Sequence, residues 1–193
     1  AAGDAPTRPA AGGEEEFLGP FASWKDVRAD YGAKGDGVAD DTAAIQKGLD
    51  DLRHHKDSCV LFFPAGTYRI TRTVQTVRQG HHECMGVTVI GEDPARTTIV
   101  WDGPAGGIMF KYDAWYSKIA RLTLDGAGKA GVALAYGDAF STYNETSDMV
   151  FRDTHTGMSM ATGGGGQAEN AVLRCAFLRC AGAGLRTNSF NSM

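Results

Sequence analysis

The chain has 193 residues, of which 42% are hydrophobic and 22% charged, a composition sufficient for one domain with a hydrophobic core. Its formal net charge of -4 leaves no basic excess for binding nucleic acid, and no apolar run approaches the roughly 20 residues that a membrane span requires. Four cysteines without paired spacing favour buried unpaired thiols over a disulfide scaffold or a zinc ribbon.

The beginning of the chain, residues 1–16, is rich in Pro, Ala and Gly and shows no apolar periodicity, which predicts a flexible linker. Such a composition is expected of a linker that follows a removed export signal or joins two domains, and on the first interpretation we expect a secreted protein. Residues 17–193 are then expected to form the folded domain.

A turn-rich segment, residues 30–42, precedes the one helical pattern that we identify. It contains three glycines and four aspartates, and its last three side chains are expected to accept hydrogen bonds from the first helical turn. Ile45, Leu49 and Leu52 follow at helical spacing. They predict an amphipathic helix over residues 42–53.

Short β-type segments continue from there to the end of the chain. They are rich in Val, Ile, Thr and aromatic residues, and no second helical pattern alternates with them, which leaves a β-sandwich or a solenoid. The first six predicted strands are Cys59–Phe63, Thr67–Thr73, Gly86–Ile90, Thr97–Trp101, Ile108–Tyr112 and Ile119–Leu124.

A repeated local pattern favours the solenoid. Residues 120–125, 147–152 and 169–174 align at offsets of 27 and 22 residues, a period typical of stacked coils. We therefore predict an all-β, right-handed, single-stranded parallel β-helix, capped by the helix and truncated at its C-terminal end, where further β-helix or an oligomer partner packs. The side chains expected to stack inward are Leu122, Met149, Ala171, Leu124, Phe151 and Leu173.

Three segments resemble the N-terminal signature of the pectate-lyase-like superfamily of parallel β-helices: Tyr31–Gln46, Phe63–Tyr68 and Val89–Glu92. That superfamily includes polysaccharide lyases, laminarinase-type glycoside hydrolases and phage tailspike depolymerases. The resemblance implies a long polysaccharide as the partner and leaves lyase, hydrolase and non-catalytic binding or adhesion open. It implies no cofactor, with calcium possible if the protein is a lyase.

Outward-facing polar side chains supply the candidate site. Glycoside hydrolysis needs two carboxylates, whereas β-elimination needs a base and a group that neutralises a uronate. The predicted register gives two outward columns, Asp125 with Arg152 and Arg174, and Arg121 with Asp148 and Asn170. The candidate acids and bases are Asp125, Asp148 and Glu169. The side chains expected to bind substrate are Tyr143, Glu145, Arg152 and Arg174. A solvated ladder of weak ion pairs is the alternative interpretation of these columns.

Two further patterns are weaker. His54–His55 and His81–Cys84 contain metal-capable atoms, but exposed turns explain them as well, and we expect no metal site. Gly126–Gly131 matches a dinucleotide fingerprint, yet β-type spacing follows it where a helix is needed, so we do not expect nucleotide binding.

Overall fold

The structure is a computed structural model that describes residues 19–52, 58–76, 84–136, 140–160 and 167–187. The predicted linker and the four histidines at 54, 55, 81 and 82 lie outside these residues. The described residues form one helix, α1 (Thr42–Asp51), and 19 strands. The strands are β1 (Lys25–Asp26), β2 (Asp36–Asp40), β3 (Val60–Phe63), β4 (Gly66–Ile70), β5 (Val74–Gln75), β6 (Thr88–Gly91), β7 (Thr97–Trp101), β8 (Ile108–Lys111), β9 (Lys118–Ala120), β10 (Thr123–Asp125), β11 (Val132–Ala135), β12 (Ser141–Thr142), β13 (Glu145–Ser147), β14 (Val150–Arg152), β15 (Thr156–Met160), β16 (Gln167–Ala168), β17 (Ala171–Leu173), β18 (Ala176–Leu178) and β19 (Ala183–Thr187).

These strands stack into three long parallel sheets. Sheet A has the order β1-β3-β6-β9-β13-β17, sheet B the order β2-β4-β7-β10-β14-β18, and sheet C the order β5-β8-β11-β15-β19. A two-stranded sheet D, β12 with β16, follows sheet C along the chain. Paired strands are one coil apart in sequence and run parallel, so the chain winds as a solenoid. The predicted parallel β-solenoid with one short helix near its beginning is confirmed.

Helix α1 lies against the free edge of sheet C. The side-chain amide of Gln46 donates to the backbone oxygen of Gln75 over 2.9 Å and accepts from its N–H over 3.0 Å. The side chain of Gln46 thereby occupies both the backbone N–H and the backbone oxygen of Gln75 in edge strand β5. These two groups are then not available for pairing with a strand of another chain. The apolar stripe is confirmed, because Ile45, Leu49 and Leu52 are all buried.

The start of α1 differs in part from the prediction. The carboxylate of Asp41 accepts from the backbone N–H groups of Lys34 and Gly35, at 2.6 and 3.0 Å, and makes no cap to the helix. Asp40 does bond the N–H of Thr42, over 3.0 Å. Asp41 is almost fully buried, so its bonds hold the preceding glycine-rich turn in place beneath the helix.

A column of inward side chains forms the core beneath sheet B. Tyr68, Ile99, Leu124, Phe151 and Phe177 occupy equivalent positions in five successive strands. The first four are fully buried, and the last two rings stack with centroids 5.0 Å apart. Each coil thus buries its apolar side chains mainly against its neighbours, as a solenoid requires.

The predicted register of the third repeat is wrong by four residues. Ser147 pairs with Leu173 and Phe151 pairs with Phe177, so the offset is 26 residues and not 22. Leu173 is 42% exposed and does not stack in the core. The error arose because residues 171–175 and 176–180 carry nearly the same pattern, AVLRC and AFLRC, on two sides of one coil.

Columns of residues in the left-handed region, with φ between 49° and 60°, turn the chain at three corners of the coil. One corner lies between sheets A and B, one between sheets B and C, and one just before sheet A. The three columns are Arg121, Asp148 and Arg174; Ala127, Asp153 and Arg179; and Tyr116, Tyr143 and Glu169. This periodic turn aims their side chains outward, where functional groups of successive coils can meet.

A buried amide ladder supports the corner before sheet A. Asn144 Nδ2 donates to the oxygens of Ala114 and Asn170, at 2.6 and 3.0 Å, and its Oδ1 accepts from the N–H of Ser117 over 3.1 Å. Asn144 is only 2% exposed, so the Asn144–Thr146 sequon cannot be glycosylated in the folded protein.

We expect Asn144→Leu to lower the free energy of unfolding by about 2–3 kcal/mol, because it leaves buried backbone groups of Ala114 and Ser117 unpaired. Chemical denaturation measures this loss. Asn170→Leu tests the next member of the ladder: its half-buried amide accepts from the backbone N–H and the Nδ2 of Asn144, so we expect a smaller loss of about 1 kcal/mol. A loss below about 0.5 kcal/mol for Asn144→Leu would contradict the ladder's role.

Candidate functional site

The three predicted catalytic carboxylates do not come together. Asp125 ends a strand of sheet B and accepts from Arg152 Nε over 2.8 Å. Asp148 lies at the corner between sheets A and B, where Arg174 binds it through two hydrogen bonds of 2.6 and 2.9 Å. Glu169 lies at the corner before sheet A. Each carboxylate therefore occupies a different part of the coil.

The observed pairing of the last coil, at an offset of 26 residues, changes which side chains share an outward column. Asp125 and Arg152 share a column as predicted, but Arg174 lies in the column of Asp148. Hydrogen bonds from Arg174 hold the pKa of Asp148 below its ordinary value. The pKa of Glu145 is lowered by the nearby hydroxyl of Ser147 and then by Lys118, whose Nζ lies 2.9 Å from Glu145 Oε1. A general acid needs a raised pKa, so these two carboxylates suit permanent ion pairs.

An open groove lies at the corner between sheets B and C and encloses about 590 Å³. Glycines keep this corner thin: a Cβ on Gly126 would lie 2.5 Å from the backbone oxygen of Asp153, and one on Gly131 would lie 2.4 Å from that of Gly106. The charged and polar side chains that line the groove are those of Lys129, Asp153, Thr154, His155 and Arg179.

Two cations of the groove are held by carboxylates. Arg179 donates Nε–H and Nη2–H to Asp153, both over 2.6 Å, and Lys129 Nζ lies 2.7 Å from Asp102 Oδ1. Arg179 keeps the pKa of Asp153 below its ordinary value. The side chains of Arg179 and Lys129 are 65% and 52% exposed, so their other N–H donors face solvent. Both can receive an additional anion.

His155 stands beside these cations. It is exposed, and its backbone is fixed on both sides because its N–H donates to Ala130 and its oxygen accepts from Gly182, over 3.0 and 2.7 Å. The imidazole packs over Gly182, where a Cβ would lie 2.5 Å from Nε2. Because Gly182 has no side chain, the imidazole of His155 has room to lie against the wall of the groove.

Two properties of the described ranges concern metals and membranes. Within these ranges, no three His, Cys, Asp or Glu side chains lie close enough together to hold a metal ion. In the same part of the chain, no helix is long and apolar enough to cross a membrane.

The chain is similar in sequence and in fold to several known proteins. Residues 24–109 match a family model described as rhamnogalacturonase A/epimerase, pectate lyase-like. Mannuronan C5-epimerase AlgE1 of Azotobacter vinelandii is 28% identical over 161 residues, covering 65% of this chain and 11% of that protein. The structure of ORF18 of Geobacillus virus E2 superposes with a TM-score of 0.59 at 17% identity, over 86% of this chain and 40% of that one.

The A-module of the Azotobacter vinelandii mannuronan C-5 epimerase AlgE4 superposes with a TM-score of 0.50 at 22% identity, over 80% of this chain and 50% of that module. These matches support the resemblance of the chain to the pectate-lyase-like superfamily of parallel β-helices. The match to the pectate-lyase-like family model ends at residue 109, so it covers the cap and the first coils. Most of the groove lies in later coils.

Sequence reasoning on this pectate-lyase-like chain missed the groove. It concentrated on strand positions, whereas Lys129, Asp153, His155 and Arg179 follow the strands of sheet B at one corner. A signal was available, because Asp153 and Arg179 are 26 residues apart and belong to the same column of corner residues. The correct offset for the third repeat would have placed these two side chains together.

The ion pair at the corner between sheets A and B allows a pH prediction. The pKa of Asp148 is lowered on folding, so its stabilisation is present at neutral pH and is lost as pH falls below about 4 and through the folded pKa. We expect Asp148→Asn to cost at most about 1 kcal/mol at pH 7, since Arg174 is 64% exposed. Denaturation at several pH values should show the difference from wild type vanishing in acid.

Arg174→Gln is the control for this pair. It should cause the same loss as Asp148→Asn, and the double variant should lose no more than either single variant. Additive losses, or a difference that grows in acid, would contradict the ion pair as the cause.

Proposed function

We propose that the chain is part of a secreted, polysaccharide-active β-helix, and that the groove between sheets B and C binds an acidic polysaccharide and removes a proton from its sugar. The observation that carries this proposal is the convergence of Lys129, His155 and Arg179 on one open groove. A long polymer can lie along such a groove because the groove is open and crosses several coils. Export is proposed with it, since polymers of this kind lie outside the cell.

The relatives support an acidic substrate. A curated relative at 28% identity is a mannuronan C5-epimerase, an enzyme that inverts C5 of a uronate polymer. The chain spans 11% of the length of that protein. We propose a related activity for this chain. The cationic side chains of the groove are the groups that a uronate carboxylate would bind.

The chemistry follows from the charges. When Lys129 and Arg179 bind the carboxylate of a uronate, the negative charge that develops after loss of the C5 proton is stabilised. The imidazole of His155 takes that proton as general base and passes it to solvent. A proton delivered from solvent water to the opposite face of C5 gives the epimer. If instead the C4 oxygen departs with the electron pair of its bond and is protonated by water, a C4–C5 double bond forms and the chain is cleaved, as in a lyase.

Hydrolysis is the less favoured reaction. It requires two carboxylates at a fixed separation, one of them with a raised pKa. Asp148 has a lowered pKa, and Asp125 is paired with Arg152. These last two side chains lie on the strands that lead into the groove, so we propose that they contact neighbouring sugars. Arg174 and Glu145 belong to ion pairs outside the groove.

The test is to incubate the protein separately with polymannuronate, polygalacturonate and a neutral glucan. Proton NMR detects inversion or solvent-deuterium exchange at C5, ultraviolet absorbance detects unsaturated uronates, and a reducing-end assay detects cleavage. We expect a C5 signal or an unsaturated product from a polyuronate and none from the glucan. New reducing ends without unsaturation would replace the proposal with a hydrolase.

Binding is tested in parallel by affinity electrophoresis in gels containing polymannuronate. We expect the double variant Lys129→Ala, Arg179→Ala to bind at least tenfold more weakly, with the exposed Lys34→Ala as the matched control. Groove-dependent binding without any product would make the chain a binding or adhesion module. Unchanged binding by the double variant would overturn the groove as the site.

A further inference from the structure

A second surface with ligand-binding chemistry lies at the corner before sheet A. Tyr116 and Tyr143 occupy equivalent positions in successive coils, and their rings stack with centroids 4.9 Å apart and planes 7° from parallel. Although they contact each other, the two side chains remain 58% and 49% exposed. Single exposed aromatic rings are common on proteins, but a contiguous group of them marks a binding surface.

The outer face of Tyr116 is open within this column. Met85 bridges to Trp115 and the N–H of Gly86 donates to the oxygen of Trp115 over 2.9 Å, so Gly86 holds the same corner one coil earlier. Gly86 also has a positive φ of 64°, like the residues of the column. Because glycine has no side chain, the described residues of this column place no side chain over the outer face of Tyr116.

The other end of the pair carries a carboxylate. Glu169 follows in the next coil, and its nearby carboxylate raises the pKa of Tyr143. Glu169 accepts from Thr142 Oγ1 over 3.2 Å. The carboxylate is thus held beside the rings, where its remaining lone pairs can accept from hydroxyl groups and its charge repels other carboxylates.

A second aromatic pair extends the apolar surface. The rings of Trp115 and Phe140 meet edge to face with centroids 5.7 Å apart, and Phe140 is 43% exposed. Trp115 is adjacent in sequence to Tyr116, and its indole N–H donates to the backbone oxygen of Phe140 over 2.7 Å. The pair is therefore fixed next to the stacked tyrosines. We refer to Trp115, Tyr116, Phe140, Tyr143 and Glu169 as the aromatic corner.

We propose that the aromatic corner binds a neutral oligosaccharide, in which one pyranose packs its C–H face on the ring of Tyr116 and the hydroxyl groups of a sugar further along the same oligosaccharide donate to Glu169. An exposed aromatic face at one end of the column and a fixed carboxylate at the other match a sugar chain whose rings are apolar on one face and carry hydroxyl donors at their edges. The proposal shares with the proposed function only the carbohydrate partner. Sheets A and B separate this corner from the groove along the coil, and the two surfaces differ in charge.

The test is NMR titration of the protein with three neutral hexasaccharides, cellohexaose, mannohexaose and laminarihexaose, and with a mannuronate hexamer. We expect at least one neutral sugar to shift the Tyr116 and Tyr143 ring signals. We expect Tyr116→Ala to weaken its affinity about three- to tenfold, whereas Tyr116→Phe retains it. Glu169→Gln should allow the mannuronate hexamer to bind at this corner more tightly than it binds the wild type there.

The control is His155→Ala in the groove, which should leave the binding of neutral sugar at the aromatic corner unchanged. Thermal unfolding of each variant confirms that the fold is intact, and the side chain of Tyr116 is exposed enough to be removed without a core cavity. The proposal is overturned if no neutral hexasaccharide shifts the tyrosine rings, or if Tyr116→Ala binds as the wild type does. If the groove acts on a polyuronate but no neutral sugar binds at the aromatic corner, the inference about the aromatic corner is wrong and the proposed function still stands.

Discussion

Replacing Phe151 with alanine is expected to lower the free energy of unfolding by about 3–5 kcal/mol. The ring is fully buried in the column beneath sheet B, between Leu124 and Phe177, and it stacks on Phe177. Its removal leaves a cavity shared by three successive coils, because each coil packs mainly on its neighbours. Chemical denaturation followed by circular dichroism measures the loss.

Leu178→Ala is the matched control. Leu178 lies one residue beyond Phe177 on the outward face and is 44% exposed, so its loss should cost less than about 1 kcal/mol. A comparable cost for the two variants would mean that the inward and outward faces of sheet B have been misassigned.

Replacing His155 with alanine is expected to reduce turnover of a polyuronate at least about 100-fold, with a much smaller change in KM. The expectation follows from the proposed role of the imidazole as general base, while Lys129 and Arg179 retain the carboxylate of the substrate. Initial rates of C5 exchange or of unsaturated product formation measure it, on whichever polyuronate the wild type uses.

His155→Gln separates basicity from shape, because it keeps a polar side chain of similar reach without a titratable base. It should be as inactive as His155→Ala, and both should unfold at nearly the wild-type temperature since the ring is exposed. Activity within a factor of two of the wild type in either variant would remove His155 from the reaction and leave the groove as a binding surface.

The fold could be predicted because its signals are local and periodic. The apolar stripe of α1 and the inward positions of Leu124 and Phe151 repeat at spacings that a single sequence displays. The register of the last coil could not be assigned in the same way. Residues 171–175 and 176–180 resemble each other, and only the pairing of Phe151 with Phe177 distinguishes them.

The candidate site was harder to predict because it forms at corners and not on strands. Asp125 and Asp148 were chosen as carboxylates on outward positions, but the basic side chain of the following coil pairs with each of them. Lys129, His155 and Arg179 belong to three different coils, so their proximity depends on the stacking register. Sugar binding by Tyr143 stays a prediction, and its stack with Tyr116 could not be foreseen because it depends on the same register.

Hydrogen–deuterium exchange with and without polymannuronate tests most directly whether the polymer lies in the groove. We expect slower exchange in residues 126–131, 153–155 and 179–182, which form the corner between sheets B and C. The aromatic corner and α1 should exchange at the rates of the free protein. Protection confined to other parts of the chain, or no protection at a polymer concentration that retards the protein in a gel, would contradict the account.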